Sequence, residues 1–210
     1  VMSVATSGQN PQFTDDELEA IITTAREYGL PVAAHAHGIE GMKRAIRAGV
    51  NSIEHGTFID DDAVKLMKQN GTVLVPTLTV AEWATEKAKE EGYFPEVVRK
   101  KAAQVGPVTK KALERAYKGG VNIVFGTDFS GDNNLGEFAL MVKAGMKPMD
   151  TIIAATLNAA QLQRVDDKLG SIEAGKLADI VAVKGNPIDD IRAMENMMFV
   201  MKNGKIYKQP

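Results

Sequence analysis

Short apolar runs alternate with amphipathic segments along the first 165 residues of the chain. Five β-branched or apolar runs predict buried strands, at 1–5, 31–34, 50–53, 72–77 and 121–125. A capping box at Thr14 and Glu17 begins a helix that Gly29 ends. Helical periodicity predicts later helices at 39–48, 60–69, 135–144 and 150–162. This alternation is typical of a parallel sheet covered by helices, and its length corresponds to about half of an eightfold (β/α) barrel.

Two stretches depart from this alternation. The charge-rich stretch 82–118 predicts two helical segments separated by a break at Gly106-Pro107. We interpret the first segment as an inserted helix or lid and the second, at 109–117, as a regular barrel helix. After about residue 166 the runs 178–183 and 199–202 alternate like strands, and Asn203-Gly204 predicts a hairpin into 205–208. We therefore predict a barrel part at 1–165 and a small antiparallel β appendage at 166–210.

Composition narrows the classes of function. The chain is 44% hydrophobic and 25% charged, as in an ordinary globular protein with a core, and its formal net charge of -2 gives no electrostatic case for nucleic acid or an anionic membrane. No apolar run approaches the roughly 18 residues of a membrane span. The chain has no cysteine, so a metal would need histidine, carboxylate or modified lysine ligands. No signal peptide is recognisable, but the first residues read as the middle of a strand, so targeting information is expected to lie outside this chain. The compartment stays open, with a cytoplasmic location favoured.

The candidate chemistry lies where the predicted strands end. The chain has three histidines: His35 and His37 follow the run 31–34, and His55 follows the run 50–53. Asp128 follows the run 121–125. An isolated His-x-His is more often a pair that hydrogen-bonds neighbouring loops, and an aspartate after a strand is often a turn residue. The repetition at successive strand ends instead favours an active site on one rim of a barrel, with Glu54 pointing away from it by strand alternation.

Several motifs together resemble the amidohydrolase superfamily, and more narrowly its Xaa-Pro dipeptidase and imidazolonepropionase-like branch. The motifs are VAAHAHG at 32–38, AGVNSIEHG at 48–56, GTD at 126–128, ATLNAA at 155–160 and LGSIEAGKLADIV at 169–181. The resemblance implies the α/β class, with the C-terminal half of a metal-dependent hydrolase TIM barrel (the end of strand 4 to strand 8) plus part of a small β-sandwich.

The resemblance also implies a centre of two divalent metal ions, usually zinc. His35 and His55 would bind the second metal, whereas Asp128 would bind the first and shuttle the proton. His37 matches no invariant ligand and is assigned to the substrate pocket. The His-x-His pair that holds the first metal in the family is expected upstream, and the bridging lysine, typically carbamylated, immediately before Val1. The N-terminal half of the same enzyme is therefore the expected partner, and a homo-oligomer the expected assembly.

The function expected from the resemblance is hydrolysis of an amide or peptide bond by metal-bound hydroxide, on a dipeptide or an N-acyl amino acid. One alternative within the superfamily is a mononuclear deaminase or cyclic amidohydrolase of the imidazolonepropionase kind. An alternative from another class is a non-catalytic binding or scaffold chain.

Overall fold

The computed structural model describes residues 9–131 and 133–210, so the strand predicted at 1–5 lies outside the described residues. A parallel sheet in the order β1-β2-β3 organises the first part of the chain. Its strands are β1 (Ala33–Ala36), β2 (Ser52–His55) and β3 (Val73–Val75). The register pairs His35 with Glu54 and Ala36 with His55, so the histidines of β1 and β2 lie one register position apart.

The predicted strand at 121–125 is much shorter in the structure. Only Ile123 pairs with β3, in a parallel bridge to Leu74. Leu74 N–H donates to the Asn122 carbonyl at 3.0 Å, and Val124 N–H donates to the Leu74 carbonyl at 2.9 Å. The next N–H, that of Phe125, donates to the carbonyl of Ala154 in a helix, which ends the pairing with β3.

Helices separate and cover the strands. They are α1 (Asp15–Glu27), α2 (Ile39–Ala48), α3 (Asp61–Asn70), α4 (Leu78–Lys87), α5 (Glu96–Lys118), α6 (Gly136–Lys143), α7 (Pro148–Ala155) and α8 (Leu157–Leu162). The predicted capping box is present: Glu17 N–H donates to Thr14 Oγ1, and Thr14 N–H donates to the Glu17 carboxylate at 2.8 Å. Apolar faces of α2, α3 and α5 pack on the sheet around Ile53 and Leu74, which are fully buried. The α/β class predicted from the sequence is confirmed.

The predicted break at Gly106-Pro107 is wrong, because α5 continues through both residues. Proline has no N–H to donate within the helix, and its ring normally disrupts the preceding turn. The hydroxyl of Thr85 in α4 enters this turn: it accepts from Gly106 N–H at 3.0 Å and lies 3.0 Å from the Ala102 carbonyl oxygen. A Cβ on Gly106 would lie 2.7 Å from that hydroxyl oxygen, so the close approach of α4 depends on glycine.

We expect Thr85→Val to lower the free energy of unfolding of the whole protein by about 1–3 kcal/mol, because Gly106 N–H loses its acceptor in a partly buried turn. Urea unfolding measures this loss. Thr151→Val is the matched control, since the Lys147 carbonyl that accepts from the Thr151 hydroxyl also accepts from Thr151 N–H, and the expected loss is less than about 1 kcal/mol. A Thr85→Val loss no greater than that of the control would contradict the bridging role.

The predicted helix 150–162 is divided into α7 and α8 at Thr156, whose φ of -122° and ψ of -87° are not helical. The side-chain amide of Asn158 in α8 donates to the carbonyl of Ile123 at 2.9 Å. This bond ties α8 to the sheet segment at Ile123. The single straight helix predicted at 150–162 does not account for it.

The C-terminal part forms an antiparallel sheet as predicted. It contains β4 (Ile180–Val183), β5 (Met197–Lys202) and β6 (Lys205–Lys208), with Asn203-Gly204 in left-handed conformations between the last two strands. A short 3-10 helix at Ile191–Glu195, absent from the sequence prediction, packs its buried Ile191 and Met194 against Phe138 of α6. The division into domains at residue 165 stays a prediction. Within the described ranges, no helix has the length and hydropathy to cross a lipid bilayer.

Candidate active site

The His-x-His segment, with His35 in β1 and His37 directly after it, directs both histidines to one side of the sheet. Ala34 and Ala36 pack against the main hydrophobic core, so His35 and His37 face the opposite side, as the His-x-His spacing predicts. In β2, Ile53 points into the same core and His55 is the last residue. His55 has a φ of 71°, in the left-handed region, and this conformation breaks the strand alternation that was used to place Glu54.

Gly56 allows the chain to turn immediately after His55. Its φ is 57°, and an added Cβ would lie 2.5 Å from Leu74 Cδ1 in the neighbouring strand. Only glycine combines this backbone conformation with such a close approach. The backbone itself therefore requires glycine at position 56, directly after the candidate residue His55.

The three imidazoles form one compact group. His55 Nε2 lies 2.7 Å from His35 Nδ1, and the rings of His37 and His55 stack with their centroids 4.6 Å apart. One nitrogen from each ring belongs to a set whose members all lie within 4.8 Å of one another. The structure thus brings together the three histidines that the sequence singled out.

Two buried threonine hydroxyls lie within hydrogen-bonding distance of the Nδ1 atoms of His55 and His37. His55 Nδ1 lies 2.6 Å from Thr77 Oγ1, and His37 Nδ1 lies 2.8 Å from Thr57 Oγ1. Thr57 and Thr77 are 1% and 3% exposed. When a hydroxyl accepts from Nδ1–H, the Nε2 lone pair of the same ring is left available to a ligand.

The electrostatics of the group keep the imidazoles neutral. Burial lowers the pKa of His55 to about 3 and that of His37 to about 2, and it also lowers the pKa of His35. Neutral imidazole is the form that binds divalent metal ions. The donor set of His35, His37 and His55 therefore fits a metal ion in both its chemistry and its spacing.

Asp128 stands beside this group. Its Oδ2 lies 3.9 Å from His55 Nε2, its side chain is largely exposed, and its φ of 47° is again left-handed. Burial, followed by a weaker influence of the Asp128 charge, raises the pKa of Glu54, which also accepts a 2.6 Å hydrogen bond from Ser52. Glu54 also pairs with His35 in the sheet register, so it lies beside the site and the prediction that it points away is wrong.

A cavity of about 650 Å³ adjoins the histidines and Asp128. Part of its wall is apolar and is formed by small side chains of α4 and α5, namely Val80, Ala81, Ala84 and Val105. An apolar cavity with a few convergent polar groups is the usual form of a site for a small molecule.

Two residues that contribute to this region were missed in the sequence. Thr57 lies in the turn after His55 and gave no signal of its own. Glu137 is fully buried, and it accepts hydrogen bonds from Leu78 N–H at 2.8 Å and Thr79 N–H at 2.6 Å. The available signal was a single acidic residue in the helix GEFALMVK, whose other residues apart from Lys143 are apolar or glycine.

Known proteins are similar to this chain in sequence and in fold. Ochratoxinase of Aspergillus niger is 34% identical over 216 residues, which cover 100% of this chain and 45% of that protein. Imidazolonepropionase of Shewanella oneidensis is 28% identical, over 96% of this chain and 47% of its own length. The chain thus spans about half the length of the curated relatives that it matches.

Among solved structures, a Xaa-Pro dipeptidase with methionine bound in its active site superposes with a TM-score of 0.96 and 55% sequence identity. The match covers 99% of this chain and 52% of that one. It confirms the expected fold class, a part of a TIM-barrel hydrolase. The sequence model of the amidohydrolase family matches residues 1–208. The chain therefore belongs to the amidohydrolase family.

Proposed function

We propose that the whole protein hydrolyses the C–N bond of a small amide substrate, a dipeptide or an N-acyl amino acid, at a metal-dependent site on this rim. The observation that carries the proposal is the convergence of three neutral imidazoles at neighbouring strand ends, with the Asp128 carboxylate 3.9 Å from His55. The 55% identity to a structure described as a Xaa-Pro dipeptidase supports the substrate class.

We assign His35 and His55 to one divalent metal ion and Asp128 to a second, and we propose zinc for both. A carbamylated lysine upstream of this chain would complete the pair of sites. A divalent ion supplies a water of lowered pKa and polarises the carbonyl of the substrate.

The residues of this chain provide the other parts of the chemistry. Asp128 accepts a proton from the attacking water and delivers it to the departing amine, a role suited to a carboxylate at the edge of a cavity. His37 is held by Thr57 at Nδ1, and its Nε2 is assigned to substrate binding. The small apolar side chains of α4 and α5 limit the water around the substrate and leave room for its side chain.

The proposed partner is the N-terminal half of the same enzyme. The matched relatives are about twice as long as this chain, which covers 45% to 47% of them. Large apolar side chains on the chain surface, among them Tyr28, Leu30, Ile172 and Tyr207, are well exposed and suit a further packed layer. A homo-oligomer remains part of the proposal.

The whole protein, purified and assayed for bound metal, is expected to contain about two divalent ions per chain and to hydrolyse members of a panel of dipeptides and N-acyl amino acids. Removing the metal with a chelator should abolish turnover, and adding Zn²⁺ back should restore it. Bound metal without hydrolysis of any panel member would contradict the substrate class. Absence of both metal and turnover would favour a binding or scaffold chain instead.

A second candidate is a mononuclear cyclic amidohydrolase or deaminase. The observation that favours it is the 28% identity to imidazolonepropionase over 96% of this chain. Metal stoichiometry distinguishes the two, because this candidate requires about one ion per chain and turnover of cyclic amides or amino-substituted rings rather than dipeptides.

A further inference from the structure

Helix α4 begins against a buried carboxylate from another helix. The N–H groups of Leu78 and Thr79, the first two residues of α4, donate to the two carboxylate oxygens of Glu137 at 2.8 and 2.6 Å. The Thr79 hydroxyl donates to the same carboxylate at 2.6 Å. Glu137 belongs to α6, 58 residues further along the chain, and is 0% exposed. A negative charge at a helix N-terminus satisfies N–H groups that have no partner within the helix.

The residue immediately before this helix is Thr77, which touches the candidate metal centre. Its Oγ1 lies 2.6 Å from His55 Nδ1, and its side chain is buried. Thr77 has a φ of 51° and a ψ of 50°, a left-handed conformation that a β-branched residue rarely adopts. Such a conformation persists only where the surrounding structure holds it in place.

We infer that Glu137 is a positioning residue for the candidate metal centre. By fixing the first two N–H groups of α4 it holds Thr77 in its left-handed conformation, and Thr77 in turn orients the imidazole of His55. The inference rests on the proposed function for its effect on metal binding, whereas the orientation of His55 is a property of the protein itself.

The orientation of His55 has a chemical consequence. Its Nε2 faces His35 Nδ1 at 2.7 Å, and this nitrogen binds a metal only when the ring proton is on Nδ1. In that tautomer the Thr77 hydroxyl, 2.6 Å from Nδ1, accepts from Nδ1–H and stabilises the proton there. Partners of this kind typically contribute a factor of about 10 to 100 in metal affinity.

The decisive variants are Glu137→Gln and Thr77→Val in the whole protein. The glutamine keeps the size of Glu137 but turns an N–H₂ group toward one of the two backbone N–H donors. The valine keeps the shape of Thr77 and removes the hydroxyl. Each variant is expected to weaken Zn²⁺ affinity, measured by competition with a chromogenic chelator, by about tenfold.

The double variant tests the route through Thr77. If Glu137 acts through that hydroxyl, Glu137→Gln adds little further loss in the Thr77→Val background. Thr77→Ser, which retains the hydroxyl, should restore Zn²⁺ affinity to nearly that of the wild-type protein. Two losses that add in full would overturn the proposed route.

A second readout needs no metal. The tautomer of His55 in the metal-free protein is measured by long-range ¹H–¹⁵N spectra, with His55→Asn identifying its signals. We expect the Nδ1–H form in the wild type and a shift of the population toward Nε2–H in both Glu137→Gln and Thr77→Val. An unchanged tautomer in Glu137→Gln would overturn the inference.

Glu17→Gln is the matched control. Glu17 also accepts from a backbone N–H at the start of a helix, that of Thr14 at 2.8 Å, but it is exposed on α1. This variant should lower thermal stability and leave both Zn²⁺ affinity and the His55 tautomer unchanged. If Glu137→Gln behaves in the same way, Glu137 only caps α4. If the wild-type protein binds no Zn²⁺, the proposed function fails, and the tautomer alone decides the positioning role.

Discussion

Replacing Asp128 with asparagine is expected to lower kcat of the whole protein by about 10²- to 10⁴-fold while leaving its metal content nearly unchanged. Asparagine cannot take a proton from the attacking water, yet its side-chain oxygen can still bind a cation. It also tolerates the left-handed backbone of this position, where φ is 47°, so little strain is added. Steady-state kinetics and metal analysis of the same preparation measure the two effects.

Asp62→Asn is the control for the same chemical change. Asp62 is an exposed residue of α3, and its contacts are surface ion pairs with Lys43 and Lys65. Its replacement should leave kcat and metal content as in the wild type. Unchanged turnover in Asp128→Asn would refute the proton-transfer role, and a parallel loss of metal and activity would reduce Asp128 to a ligand.

The sequence predicts best where local signals and tertiary structure agree. Helix α2 has the bounds predicted. Its helical apolar spacing stops just before Gly49, and Gly49, with a φ of 101°, ends the helix at the same place. The continuation of α5 through Pro107 could not be predicted, because the hydroxyl that repairs the turn comes from Thr85 in another helix. The segment 121–125 has the composition of a strand, but hydrogen bonds to other elements decide how much of it pairs.

The same contrast holds for the candidate site. His35, His37 and His55 could be identified from the sequence because their residue types carry chemistry and because they recur at strand ends. Thr57 and Glu137 could not, since a threonine in a turn and a glutamate in a helix are ordinary until the fold places them. Their contacts join positions 20 and 58 residues apart. Spacing along the chain does not reveal such partners.

Asparagine substitutions at the three histidines are expected to separate their roles. His35→Asn and His55→Asn should each lose one of the two metal ions, with affinity falling by more than the roughly 10- to 100-fold typical of residues that only support a ligand. Turnover at saturating substrate should fall with the metal. His37→Asn should retain both ions and mainly raise KM, because its Nε2 is assigned to the substrate.

The three variants control one another, because the same substitution is made within one cluster of rings. Asparagine is also the suitable replacement at His55, where φ is 71° and most side chains would add strain. The geometry alone places His37 as close to the group as the other two rings, with all three nitrogens within 4.8 Å of one another. Loss of metal in His37→Asn would therefore make His37 a ligand and overturn its assignment to the substrate pocket. Retention of both ions in His55→Asn would remove His55 from the metal centre, and the role of Thr77 and Glu137 would then concern the orientation of the ring alone.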